Sequence, residues 1–236
     1  MEYQYGKNDN YEDYASGRVL YQYKGITNFP ARLACEIFGR CLSYARKETG
    51  ICIYDCCCGG AYMLTVLGFL NARVIDHIIG SDISHQAVEV SRANLELLTL
   101  SGMDKRLNQI RELKDQYQKV SHAEAEVSAV RLRKQIENEK IEITVFQADA
   151  LSGLKLEVIP DIILTDVPYG DLVSWQGAED GSVNQLLDHL YPLCGRDTII
   201  GICMDKSQKN TNPKFRRLER QQIGKRRFEI LCKIDG

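Results

Sequence analysis

Read for apolar and polar positions, the chain resolves into short apolar runs alternating with stretches of helical spacing. The run Ile51 to Tyr54 stops at Asp55, small residues follow from Cys56 to Ala61, and Tyr62 to Leu70 runs on at helical spacing. This predicts a strand at 51–55, a tight loop, and a helix over 62–72. Upstream, Phe29-Pro30-Ala31-Arg32-Leu33 predicts a helix with proline at its first turn, its apolar face made by Leu33, Ile37, Phe38 and Cys41. Downstream, His77 to Ser81 predicts a second strand ending in Asp82, then a helix with Ser84 as N-cap and Ala87, Val88, Ala93, Leu95 and Leu98 among its apolar residues. The charged stretch 102–140 predicts two antiparallel helices in preference to one long loop. One seam is Leu107, Ile110, Leu113, Tyr117 and Val120; the other is Ala123, Val127, Val130 and Lys134. Ile141 to Phe146 predicts a third strand ending near Asp149, and Asp161 to Thr165 a fourth running into Asp166-Val167-Pro168-Tyr169-Gly170. A helix at 182–193, a strand at 198–203 and a hairpin, Phe215 to Ile223 and Arg226 to Ile234 about Gly224-Lys225, complete the chain.

Five strands alternating with helices before a terminal pair imply an α/β fold: a doubly wound, Rossmann-like sheet, mostly parallel, with an antiparallel terminal strand. The 236 residues read as one domain, with an N-terminal arm at 1–28, broken by Gly6, Gly17 and Gly25, and a helical insertion at 102–140.

Composition narrows the picture modestly. With 44% hydrophobic and 26% charged residues the chain reads as an ordinary soluble globule. No apolar stretch is long enough to span a bilayer, and the polar start lacks a signal peptide's apolar segment, so the expected compartment is the cytoplasm, with no membrane partner and a monomeric state. Nine cysteines, an odd number, do not read as a disulfide framework; Cys35, Cys52, Cys203 and Cys232 lie in apolar runs as small hydrophobes. The thiols of Cys56-Cys57-Cys58 diverge, no Cys-x-x-Cys partner follows and there are four histidines, so no metal site is expected. The net charge of −2 conceals a basic segment, with Lys209, Lys214, Arg216, Arg217, Arg220, Lys225, Arg226 and Arg227. It reads as a polyanion surface, or as an edge strand protected from aggregation by its charges; charge alone does not separate the two.

The chemistry gathers at the strand ends. Asp55, Asp82 and Asp149 end three successive strands, and ligands of such sheets bind along those ends where the strand order reverses. Asp82 is placed for a ribose diol, Asp149 for an exocyclic adenine amine, and Asp55 for a ligand amine. Together they point to a cofactor containing adenosine. The loop has neither G-x-G-x-x-G nor G-K-[ST], which argues against a dinucleotide and excludes a Walker site. S-adenosylmethionine, with an amine and a sulfonium and no pyrophosphate, suits the acids better. In Asp166-Val167-Pro168-Tyr169, proline stiffens the backbone, the carboxylate supplies an acceptor and the tyrosine a stacking face, as a planar N–H nucleophile taken out of its stack requires.

The segments FPARLACEIF, YDCCCGGAYMLTVLG, GSDIS and TDVPYG, with the tail near RQQIG, resemble the avilamycin-resistance RNA methyltransferases (AviRa-type), within the class I S-adenosylmethionine-dependent enzymes. The likeness runs in order along nearly the whole chain from about Phe29. It implies methylation of a guanine base in large-subunit 23S ribosomal RNA. It also implies a cofactor held by Asp55, Cys57, Gly59, Gly60, Asp82, Ile83, Asp149 and Ala150, a methionine moiety near Phe29 and Arg32, and a target base at Asp166, Pro168 and Tyr169. The usual loop D-x-x-x-G-x-G ends here in Ala61, which is tolerable with a negative φ, as at a helix start. Two rivals stand beside this reading: a non-catalytic RNA-binding or ribosome-assembly protein on the same fold, and a methyltransferase of a protein or small molecule.

Overall fold

The computed structural model describes residues 1–23, 28–138, 140–167 and 182–234. After the arm, helix α1 (Ala31–Tyr44) leads to strand β1 (Ile51–Asp55), α2 (Tyr62–Leu70), β2 (Ile75–Asp82) and α3 (His85–Glu96). The hairpin of α4 (Leu100–Tyr117) and α5 (Val120–Gln135) precedes β3 (Glu142–Gln147) and β4 (Ile162–Asp166). Helix α6 (Ser182–Leu190), a 3₁₀ turn at Tyr191–Leu193, β5 (Ile199–Asp205), β6 (Phe215–Ile223) and β7 (Arg226–Lys233) finish the fold.

The seven strands form one sheet in the order β3-β2-β1-β4-β5-β7-β6. Strands β1 to β5 pair in parallel, and β7 runs antiparallel to both β5 and β6. This is the doubly wound, mostly parallel sheet that the sequence predicts. The order reverses between β1 and β4, so the crevice for a ligand opens where Asp55 and Asp166 end their strands. The alternation of strand and helix lapses once, because 148–161 joins β3 to β4 without a helix.

Alternating residues of the central strands feed two apolar layers, the reason these strands read as continuous apolar runs. Ile53, Ile78, Ile162, Leu164, Cys203 and Phe228 pack with α1, α2 and the α4–α5 hairpin; Tyr54, Ile79, Ile163, Ile202 and Leu231 pack with α6. Helix α1 lies so close on β5 that a Cβ at Gly201 would stand 2.7 Å from Cys41 Sγ.

The arm is anchored through one buried carboxylate. Glu36 on α1 accepts the N–H groups of Gln4, Tyr5 and Gly6 at 2.7–3.0 Å. Arg40 donates to Glu36 at 2.6 Å and pairs with Glu219 on β6. Further along, Val19 and Leu20 are fully buried. In the hairpin, Arg133–Asp104 and Arg111–Glu126 pairs at 2.6 and 2.8 Å align the helices antiparallel. The second seam differs from expectation. Ala125, Ser128, Ala129 and Leu132 are buried, whereas Val127 is exposed and Ala123 and Val130 are half-buried. Small residues let α5 sit close to its neighbours, and the mixed polarity of this helix left the choice of face to packing. Of the first seam, Leu107 and Ile110 are buried, while Leu113, Tyr117 and Val120, toward the tip, are exposed.

Candidate active site

The loop after β1 is built from its own backbone and from α3. Cys57 N–H donates to Asp55 Oδ1 at 3.0 Å, and Gly59 N–H to Asp82 Oδ2 at 2.9 Å. Ser91 donates to Gly59 O at 2.6 Å and Asn94 to Gly60 O at 2.8 Å, clamping the loop on α3. Gly59 has φ +54°, and Ala61 has φ +53° as the residue that caps α2. The negative φ expected at Ala61 is therefore corrected: the backbone is left-handed where the chain leaves the turn closed by Ala61 N–H to Cys58 O at 2.7 Å and enters α2. An L-residue in that region is strained by roughly 1–2 kcal/mol. Gly60 turns toward the protein, since a Cβ there would meet Tyr23 Cβ at 3.0 Å and Val90 Cγ1 at 3.1 Å.

The acids differ in setting. Asp55 is 3% exposed, and burial, with the like charges of Asp166 and Asp82, pushes its carboxyl up to about 7 against hydrogen bonds from Thr165 and Cys57 N–H. Asp82 takes Ser84 N–H on Oδ1 at 2.9 Å as well as Gly59 N–H, so it holds the loops after β1 and β2 together. Ile83 beside it is 50% exposed. Asp149 is exposed and accepts Leu151 N–H at 2.9 Å; Ala150 is half-buried. Burial pushes Asp166 up to about 6, countered by the Arg226 guanidinium and a hydrogen bond from the Cys203 thiol. Its Oδ1 is buried with no hydrogen-bond partner among the described residues. Asp55, Asp82 and Asp166 thus gather around the reversal of strand order, and Asp149 follows β3 beside them, Ala148 N–H donating to Asp82 O at 3.0 Å.

Phe29 is buried, and the Arg226 guanidinium lies 5.3 Å over its ring. Arg32 points to the arm instead, donating to Gly6 O at 3.0 Å with its guanidinium 4.1 Å over the Tyr3 ring. Pro168 and Tyr169 lie outside the described residues. Cys56 Sγ is 3.9 Å from Cys57 Sγ, while Cys58 Sγ contacts Ser91, so the thiols divide between two directions. Cys57 itself is half-buried.

Three contributors escaped the sequence reading. Thr165, one residue before the expected acid, bonds Asp55. Cys203 and Arg226 reach Asp166 from β5 and β7. Strand alternation was the available signal for Arg226; its place in a basic run concealed it.

The chain also has relatives among known proteins. The profile of a family described as "rRNA methyltransferase AviRa" matches residues 1–226. A 23S rRNA (guanine(2535)-N(1))-methyltransferase of Streptomyces viridochromogenes is 35% identical over 231 residues, covering 94% of this chain and 92% of the relative. The crystal structure of rRNA methyltransferase aviRa from the same organism superposes with a TM-score of 0.90 at 31% identity, covering 98% of this chain and 96% of that one. A Listeria monocytogenes protein assigned to the class I S-adenosylmethionine-dependent methyltransferases shares the fold, with a TM-score of 0.54 at 13% identity over 91% of this chain and 63% of that one.

Proposed function

Since the chain belongs to the AviRa rRNA methyltransferase family, class I enzymes that use S-adenosylmethionine, we propose that it methylates N1 of a guanine in 23S ribosomal RNA. The observation that carries the reading is Asp166, whose Oδ1 is buried without a hydrogen-bond partner among the described residues, next to Asp55 at the reversal of strand order. The donor set fits the cofactor. Asp82 offers its remaining lone pairs to a ribose diol, exposed Ile83 an apolar face for adenine, and buried Asp55 a carboxylate that an ammonium group would keep ionised. Cys57, Gly59 and Gly60 form the loop, Asp149 and Ala150 bound the adenine end, and Phe29 closes the methionine end, while Arg32 holds the arm. When bound, the cofactor supplies a methyl on a sulfonium sulfur, which keeps the carbon–sulfur electron pair. The protein's part is positional: Asp166 accepts the base N–H, and Tyr169, after Pro168, stacks on the ring.

The exposed arginines of β6 give the RNA backbone a surface, and an RNA-modifying enzyme of this kind works in the cytoplasm, here as a monomer. Among the described residues no helix is long and apolar enough to cross a membrane. Antibiotic resistance by target methylation follows from the same reading. The decisive test is nucleoside mass spectrometry of 23S rRNA treated with the protein and S-adenosylmethionine, where 1-methylguanosine is expected. Asp166→Ala should abolish transfer and leave cofactor affinity, measured by calorimetry, within about twofold, since the residue serves the base. Equal loss of both would assign Asp166 to the cofactor. No binding of S-adenosylmethionine by the wild type would favour a non-catalytic RNA-binding protein.

A further inference from the structure

The site holds a side chain that the family reading does not use. Along β4, Ile162 and Leu164 face the α1 layer, which puts Asp166 on the same face at the rim. Asp166 pairs in register with Cys203, Cys203 with Phe228, and Asp205 with Arg226. Phe228 also faces the α1 layer. Arg226, two residues away on an antiparallel strand, therefore shares that face and projects at the same rim, one step further out. Half-buried, it has its guanidinium 5.3 Å over the ring of buried Phe29, within cation–π reach.

We propose that Arg226 reads the target base, its guanidinium donating to the guanine O6 while Asp166 takes the proton from N1. This rests on the function proposed above and deepens it. Guanine N1 carries a proton at neutral pH, so its lone pair is available only once the proton has moved to Asp166. The charge left behind is shared with O6, where a preorganised cation offsets it. The freed pair on N1 then forms the bond to the methyl carbon, whose bond to sulfur breaks with its electrons on sulfur. A donor beside an acceptor also sets specificity. Guanine presents O6 and N1–H to this pair; adenine and cytosine present an amino group and a bare ring nitrogen, which leave both protein groups unsatisfied. Uracil shares the keto–imino edge, so size and stacking must exclude it.

Among the described residues the charged and titratable groups facing Asp166 are Asp55 from β1, Cys203 from β5 and Arg226 from β7, with uncharged Phe29 before α1. Of these, Arg226 is the cation that holds Asp166 down, so its removal raises the pH at which the base ionises.

The experiment compares wild type, Arg226→Gln and Arg226→Lys on a 23S rRNA fragment, measuring kcat across pH and S-adenosylmethionine affinity by calorimetry. Arg226→Gln is expected to lose on the order of 10²–10³-fold in kcat with unchanged cofactor affinity, the acid limb of its profile moving to higher pH. Arg226→Lys keeps the charge without the fork, so it should recover part of kcat and keep the wild-type limb. It serves as the folded control if the glutamine variant is unstable. Identical limbs and kcat in the three proteins would overturn the assignment. So would loss of cofactor affinity in place of kcat, which would hand Arg226 to the methionine carboxylate. A wild type that forms no methylguanosine would instead refute the function itself, whatever the variants do.

Discussion

Asp55 carries two burdens at once, since it bonds the loop that follows it and stays buried among like charges. Its carboxyl titrates near 7 in the folded protein against an ordinary value of about 3.9 in the unfolded chain. A carboxyl raised by folding contributes stability that is complete below the unfolded value and is lost as pH rises through the folded one. In the ligand-free protein, thermal stability should therefore increase as pH falls from about 7 to about 4, with Asp166 adding to the slope below about 6. Asp55→Asn should flatten the upper part of this slope. Equal slopes in melting curves of the two proteins would show that Asp55 is already ionised and solvated. Ala61 is the residue where a sequence reading failed on conformation: alanine favours helix, yet at the junction of the tight loop and α2 its backbone is left-handed.

At the scale of elements, the α4–α5 hairpin shows which of its contacts matter. Glu126 takes Arg111 and Lys114 at 2.8 and 2.7 Å, but the pairs are largely exposed and screened. Leu132 is fully buried in the layer shared with α2. Leu132→Ala is expected to lower unfolding stability by about 2–5 kcal/mol, and Glu126→Gln by about 1 kcal/mol or less, in denaturant titrations. A larger loss from the glutamine variant would mean that the ion pairs hold the hairpin together. That two helices form here was legible in the spacing, but not where one ends, since the first seam ran on to Val120, which opens α5. The buried face of α5 was not, because alanine and serine carry little hydrophobic signal and only the neighbouring helices select them.

Over the whole molecule, the position of β6 at the sheet edge gives the basic segment its meaning. Arg216, Arg217 and Arg220 are exposed along it, whereas Arg227 turns inward, 5% exposed, beside Glu229 at 3.5 Å. Only part of the basic run is thus free to meet a polyanion. Affinity for an rRNA fragment should fall linearly on a log–log plot against salt, and Arg216→Gln with Arg220→Gln should reduce that slope by about 1.5 units. An unchanged slope would leave these charges with the sole task of guarding the edge against other strands.

The order of strands and helices, the acids at the strand ends and the kinship with a methyltransferase family were determined by the sequence alone. Apolar runs of strand length, capping residues and a distinctive loop are local features, and local features survive in one dimension. Which acids meet, that Arg32 turns to the arm while Arg226 comes beside Asp166, and which face of α5 is buried were decided by the tertiary structure. Those outcomes depend on the reversal of strand order and on pairing between residues far apart in the chain, where the free energy of burial and of like charges is set only when distant strands lie side by side.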